Sequence, residues 1–161
     1  TLSRMDEEES PLKMSPFPIS EAVTQTAESF RDFAAERGLG LNVSAAPELT
    51  YCGDEYAVRQ LVSILMDNAV KYAAAQSDIA VTLEKERHGV RRAVSNACEP
   101  IGEKNLTRMF DRFYRVDPSR NAATGGFGIG LSIARSIAEG HKGSITADYK
   151  DGRICISALL K

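Results

Sequence analysis

Between Asn96 and Phe127 the alternation of strand and helix patterns that organises this 161-residue chain breaks down. The break ends in the run Gly125-Gly126-Phe127-Gly128-Ile129-Gly130-Leu131-Ser132-Ile133-Ala134. So long a connection inside a compact domain is usually functional, often a lid. Glycines at 126, 128 and 130 then open an amphipathic helix. The first N–H groups of a helix are unpaired and carry partial positive charge, so glycines that let a phosphate approach make an anion site there. Many nucleotide-binding folds can use that device, so the rest of the chain must decide between them.

The elements on either side are readable. Ser20 is expected to cap a helix running to about Arg37, with Val23, Ala27, Phe30 and Ala34 at helical spacing and Gly38 as its stop. Leu39–Ser44 and Leu49–Cys52 read as short strands. Asp54 is the expected cap of a central helix reaching Ala75, along which Val58, Leu61, Leu65, Ala69 and Tyr72 form an apolar stripe. Ile79–Glu86 and Val90–Ser95 read as a hairpin turning at His88-Gly89, and a short helix is expected around Lys104–Met109. The glycine-launched helix spans about Gly128–Glu139. Ser144–Tyr149 and Ile154–Leu159 form a second hairpin through Asp151-Gly152. Three amphipathic helices and about six short strands, mostly in hairpins, imply an α+β fold with helices on one face of a mixed sheet.

Composition narrows the function. Lys+Arg 20 against Asp+Glu 22 gives a net charge of -2, which disfavours a nucleic-acid groove or an anionic membrane surface as the partner. Cys52, Cys98 and Cys155 are odd in number and scattered, against a disulfide framework or a zinc cluster, and a reducing, cytoplasmic setting fits. No run approaches the roughly 20 apolar residues of a membrane helix. Residues 1–14, with the acidic run Asp6-Glu7-Glu8-Glu9 before Ser10-Pro11, read as a helix end and linker, and the domain proper as 15–161.

On the central helix, Asn68, Lys71 and Tyr72 share one face with Ile64 a turn earlier. An amide oxygen can sit in the shell of Mg²⁺ without adding charge, an ammonium can neutralise phosphate, and a phenol supplies an aromatic wall. Taken alone, this stripe suits the edge of a packed helix as well. The order of motifs is more specific: Asn68-Ala-x-Lys71-Tyr72, then Met109-Phe110-Asp-Arg-Phe113-Tyr114-Arg115, then Gly126-x-Gly128-x-Gly130-Leu131, then His141-Lys-Gly143-Ser-Ile145. In that order the chain, from about Ser15 onward, resembles the ATP-binding catalytic domain of bacterial sensor histidine kinases. Gyrase, heat-shock-chaperone and mismatch-repair ATPases share the nucleotide fold, but their lids lack the Phe110–Arg115 segment.

The resemblance implies a two-layer α/β sandwich of the Bergerat type, with a mixed sheet covered on one face by three helices and an ATP lid. It implies Asn68 as the Mg²⁺ position, Lys71 and Tyr72 lining the nucleotide, Phe110 and Phe113 anchoring the lid, and Arg115 approaching the terminal phosphate. Asn68, Lys71 and Arg115 are the expected catalytic residues. Asn96, Ile101, Phe113, Thr124, Gly125, Gly126, Phe127, Gly128, Ile129, Gly130 and Leu131 complete the expected ATP contacts. Two departures stand out. The family's Asp-x-Gly-x-Gly is here Asn96-Ala97-Cys98-Glu99-Pro100, with a neutral acceptor for the adenine amino group and a proline where a glycine is usual. Ile64 also stands where hydrolytic relatives carry a glutamate base, so slow ATP hydrolysis is expected, as suits a kinase that saves the phosphoryl group for its acceptor.

His88 and His141 are the chain's histidines. The first is expected as a solvated turn residue and the second at a helix end, and neither as a phosphoacceptor. The resemblance therefore implies an acceptor histidine on a separate upstream dimerisation domain, a cognate response regulator as partner, and a parent protein in the bacterial membrane that this fragment does not itself touch. A degenerate ATP-binding regulatory module and an anti-sigma-type serine kinase are the alternatives.

Overall fold

The computed structural model describes residues 12–87, 89–98, 106, 108–111 and 130–161. The chain opens with β1 (Ser15–Pro18), which pairs antiparallel with β3 (Thr50–Gly53) in a ribbon of its own. The main sheet has the order β2 (Gly40–Ala45), β4 (Asp78–Glu86), β5 (Gly89–Ala97), β7 (Arg153–Leu160), β6 (Ser144–Lys150). Only β2–β4 is parallel; the other pairs are antiparallel. Along β4, β5 and β7 alternate side chains are buried: Ile79, Val81 and Leu83, then Val90 and Val94, then Ile154, Ile156, Ala158 and Leu160. That alternation marks a sheet covered on one face.

The cover is built on α3 (Glu55–Tyr72), which packs between α1 (Ile19–Glu28) and α4 (Gly130–Gly140). Its Val58, Leu61, Val62, Leu65, Met66 and Ala69 are buried at helical spacing. Asp54 caps it as expected, with a side-chain oxygen accepting the Ala57 N–H at 3.1 Å. The expected mixed α+β sandwich is thus observed.

One expected helix is two. The stretch from Ser20 to Arg37 breaks after α1, at Ser29-Phe30, and resumes as α2 (Arg31–Glu36). Ser20 is not the cap, because Pro18 holds that position. The Ser20 hydroxyl instead bridges to the β2–β3 connection, accepting the Leu49 N–H and donating to the Ala46 carbonyl. A hydroxyl can satisfy either a helix end or a neighbouring loop, and here the loop wins. The ribbon strand β1 was not anticipated. The second hairpin turns on Asp151 and Gly152, whose φ of 53° and 79° match a turn that needs left-handed residues at both centres. Gly143 is fixed by proximity: a Cβ there would strike the Leu159 carbonyl.

Candidate functional site

The site is assembled where the C-terminal half of α3 meets the end of β5 and the start of α4. Asn68, Lys71 and Tyr72 are all half-buried on α3. Lys71 is not a lone cation: its ammonium lies 3.1 Å from a carboxylate oxygen of Asp67, four residues earlier. The acid-before-base order at this spacing is the favourable one on a helix. The Asn68 side chain has no hydrogen-bond partner among the described residues.

The end of β5 is held by a carbonyl hub. Asn96 occupies the covered face of the sheet near the end of β5, 3% exposed. Its amide nitrogen donates to the Ala97 carbonyl at 3.0 Å, and that same carbonyl accepts the Ala74 N–H at 2.7 Å. The chain leaving α3 and the end of β5 are therefore tied together at one oxygen. The bond also fixes the amide rotamer, because a flip would set the Asn96 side-chain oxygen against the Ala97 oxygen. Oδ1 is left as the acceptor. Cys98 is pinned on both sides, its N–H donating to Gly152 O at 3.1 Å and its carbonyl accepting the Tyr149 hydroxyl at 3.4 Å. The second hairpin thus positions the start of the long connection.

The third element is α4. A Cβ on Gly130 would lie 3.6 Å from Ile64 Cγ2, so the first turn of α4 rests on α3 one turn before Asn68. That first turn carries no acidic residue, leaving the positive end of the helix uncompensated by its own side chains. At its other end α4 reaches His141, whose ring bonds to Asp54 at the start of α3; the two helices run antiparallel. Met109 and Phe110 are buried in the same core as α3 and α4, in keeping with an anchoring role for Phe110. Asp111 faces Arg135 of α4 at 3.7 Å and Arg108 at 3.4 Å.

Several expected residues lie outside the described set: Ile101, Phe113, Tyr114, Arg115, Thr124, Gly125, Gly126, Phe127, Gly128 and Ile129, together with Glu99, Pro100, His88 and half of the expected helix around Lys104–Met109. Those that are described, Asn68, Lys71, Tyr72, Asn96, Gly130 and Leu131, sit on the three elements that converge. Residue-by-residue reading missed Asp67, the Ala97 carbonyl and the Asp111–Arg135 contact. Asp67 was detectable from its spacing to Lys71. The other two depend on tertiary geometry that leaves no local pattern.

A metal here would rely on few protein groups. Among the described residues no three of His, Cys, Asp or Glu cluster as a metal cage. Mg²⁺ suits such a site, because it commonly keeps waters and takes substrate phosphates with one or two protein oxygens. The Asn68 amide oxygen, with the Asp67 carboxylate adjacent in sequence, fits that chemistry.

Comparison with known proteins agrees with this arrangement. The family described as histidine kinase-, DNA gyrase B- and HSP90-like ATPase matches residues 53–159. The sensor histidine kinase CusS of Escherichia coli K12 is 36% identical over 141 residues, 86% of this chain and 29% of CusS. The signal transduction histidine-protein kinase BaeS of the same strain is 31% identical over 148 residues, 92% of this chain and 32% of BaeS. The chain thus spans under a third of the length of these relatives. Among solved structures, the catalytic domain of histidine kinase ThkA superposes with a TM-score of 0.82 at 22% identity, covering 92% of this chain and 95% of that one. Full-length ShkA in complex with AMPPNP superposes at 0.81 and 23% identity, covering 99% of this chain and 34% of ShkA. With both the fold and the ordered motifs in place, the chain belongs to the histidine kinase-, DNA gyrase B- and HSP90-like ATPase family.

Proposed function

We propose that this domain binds Mg²⁺-ATP and presents its γ-phosphoryl group to a histidine on a separate dimerisation domain, as the catalytic unit of a two-component sensor kinase. The observation that carries the reading is the meeting of three elements: the C-terminal half of α3, which carries Asn68, the end of β5, which carries Asn96 and is tied to the chain leaving α3 through the Ala97 carbonyl, and the uncompensated start of α4, which rests on Ile64. Asn96 accepts from the adenine amino group through Oδ1. The N–H groups at the start of α4 face the phosphates, with Gly126, Gly128 and Gly130 letting them approach. Asn68 holds Mg²⁺, which supplies charge neutralisation at the phosphates when bound. Lys71, released from Asp67, and Arg115 add positive charge where the transferred group becomes more negative. Ile64 leaves α3 without a carboxylate one turn before Asn68 to activate water, so the phosphoryl group is kept for the acceptor.

The partner on the output side is a response regulator. ThkA, similar in fold, has been solved in complex with the response regulator protein TrrA. Among the described residues no helix is long and apolar enough to cross a membrane. Residues 1–14 serve as the link to the dimerisation domain.

The test is transfer in trans. Mixing the domain with a helical dimerisation domain bearing the acceptor histidine and γ-labelled ATP should label that histidine in an acid-labile, base-stable form. ATP binding with no labelled histidine would defeat the kinase reading. No measurable ATP binding would favour a regulatory module.

A further inference from the structure

The strand end that carries Asn96 is gripped from the sheet face that the helices leave open. Arg153 opens β7 opposite Ala97, and its side chain crosses β5 to reach β4. One guanidinium nitrogen, Nη2, donates to Ser95 O at 3.2 Å, to Ser95 Oγ at 3.3 Å and to Asp78 O at 3.0 Å. It takes the Asp78 carbonyl and not the carboxylate, which lies over β2 where a Cβ on Gly40 would strike it. This arginine therefore ties strand to strand rather than balancing a charge. The preceding residue adds a second grip, Gly152 O accepting the Cys98 N–H at 3.1 Å. Asn96 and Ala97 lie between the two gripped positions. Side chains alternate along a strand, so Ser95 meets Arg153 on the open face while Asn96 is buried on the covered one.

Asparagine is an ambivalent reader of a base. With its oxygen presented it accepts from a 6-amino purine; turned over, it donates through its nitrogen to a 6-keto purine. Among the described residues, what selects between the two states of Asn96 is the bond from its nitrogen to Ala97 O at 3.0 Å. The choice of base then depends on where the Ala97 carbonyl is held, and Ala97 is the residue opposite Arg153. A charged donor holds such oxygens more strongly than a neutral one. We propose that Arg153 is a positioning residue for base selection: through Ser95 and Asp78 it holds the end of β5 so that Asn96 presents its oxygen, and the site prefers a 6-amino purine nucleotide to a 6-keto one. This role rests on the proposed function, with Asn96 as the base acceptor. Arg153 acts through the strand from the face opposite Asn96, so its loss should change which base is bound more than whether a nucleotide is bound.

Calorimetry of chain 1–161 with Mg²⁺ and the non-hydrolysable imidotriphosphates of adenosine and inosine tests it. Wild type should prefer the adenosine form about tenfold or more. Arg153→Met should cut that preference to about threefold or less, by weakening the adenosine form more than the inosine form. Arg153→Lys keeps a charged donor that reaches fewer of the oxygens, and should fall between. In an Asn96→Ala background, where no amide remains to orient, Arg153→Met should leave the ratio unchanged. A wild-type ratio in either Arg153 variant would overturn the proposal and leave nucleotide binding standing. A wild type that binds the two forms equally would overturn it at Asn96, and one that binds neither would overturn the proposed function with it.

Discussion

At the N-terminal end of α3 the strong polar groups are paired with one another, whereas at its C-terminal end Asn68 is half-buried with no partner among the described residues. The first end is a knot. Asp54 accepts from Ala57 and Lys13 through its two oxygens, and its N–H donates to His141 Nε2. That bond requires a bare Nε2, so the ring is neutral with its proton on Nδ1, which donates to Ile137 O at 2.9 Å. Tyr51 lies between the Phe17 and His141 rings, at centroid distances of 6.0 and 5.9 Å, and burial pushes its phenol up to about 12. The second end keeps an amide available and a lysine on a short tether to Asp67. One end of the helix uses polar groups for cohesion, and under the proposed function the other reserves them for the nucleotide, so substitutions at the two ends should separate stability from binding.

The largest separation is expected at the knot. His141→Ala strips the acceptor from the Asp54 N–H and a donor from Ile137 O, and leaves a void beside Tyr51. An unmet buried donor costs about 1–3 kcal/mol and the void adds a comparable amount, so a loss of about 4 kcal/mol is expected in urea unfolding. That is a large part of the roughly 5–15 kcal/mol typical of a domain. Nucleotide affinity, measured well below the unfolding midpoint, should hold to within about twofold. A small loss of stability, or a large loss of affinity in the folded protein, would show that the two ends are not separate.

Asn68→Ala is the mirror image. Removing the amide oxygen should weaken Mg²⁺-nucleotide binding about 100-fold, near 2.7 kcal/mol. Alanine is the better helix former by a few tenths of a kcal/mol, so the unfolding midpoint should stay or rise slightly. Calorimetry with a non-hydrolysable ATP analogue checks the first part and urea denaturation the second. Full-strength binding by this variant would remove Asn68 from the site.

The sequence carried this contrast unevenly. The α3 stripe, the Asp54 cap and the Asp151-Gly152 turn were legible because each is a local pattern with a local cause: apolar spacing, a capping side chain, a positive φ. The family was legible through the order of motifs, which no single motif supplied. The knot was not. His141 was placed at a helix end, but its partner Asp54 is 87 residues away, and nothing local to either announces the other. The α1–α2 break was missed for a related reason. Phe30 and Ala34 keep the helical period across it, while the Ser29 N–H closes back on Gln25 and the Phe30 N–H on Ala27. Period alone does not reveal where a backbone ladder ends.

A third buried group falls under neither rule and gives the smallest expected effect, of opposite sign. Arg92 is 1% exposed on the covered face of β5, between Leu83 and Ala158 in register, and its three guanidinium nitrogens are buried with no hydrogen-bond partner among the described residues. In sequence it interrupts the apolar series Val90, Val94. Burial lowers its pKa to about 10, so it remains charged at neutral pH and stands as an uncompensated cost. Arg92→Met keeps the length and removes the charge, and buried charges exchanged for apolar side chains often stabilise by about 1–4 kcal/mol. A gain of about 2 kcal/mol is expected, against the loss at His141, where the buried polar group is fully paired. The sign with pH follows from the lowered pKa. Above about pH 10 the unfolded chain still binds the proton that the folded chain releases, so wild-type stability from this group rises with pH there. The advantage of Arg92→Met should be complete at neutral pH and should shrink above about pH 10. Urea midpoints for both proteins on either side of that pH measure it. A variant less stable than wild type at neutral pH would mean that Arg92 has an acceptor after all, and that the interior obeys the same pairing rule as the knot.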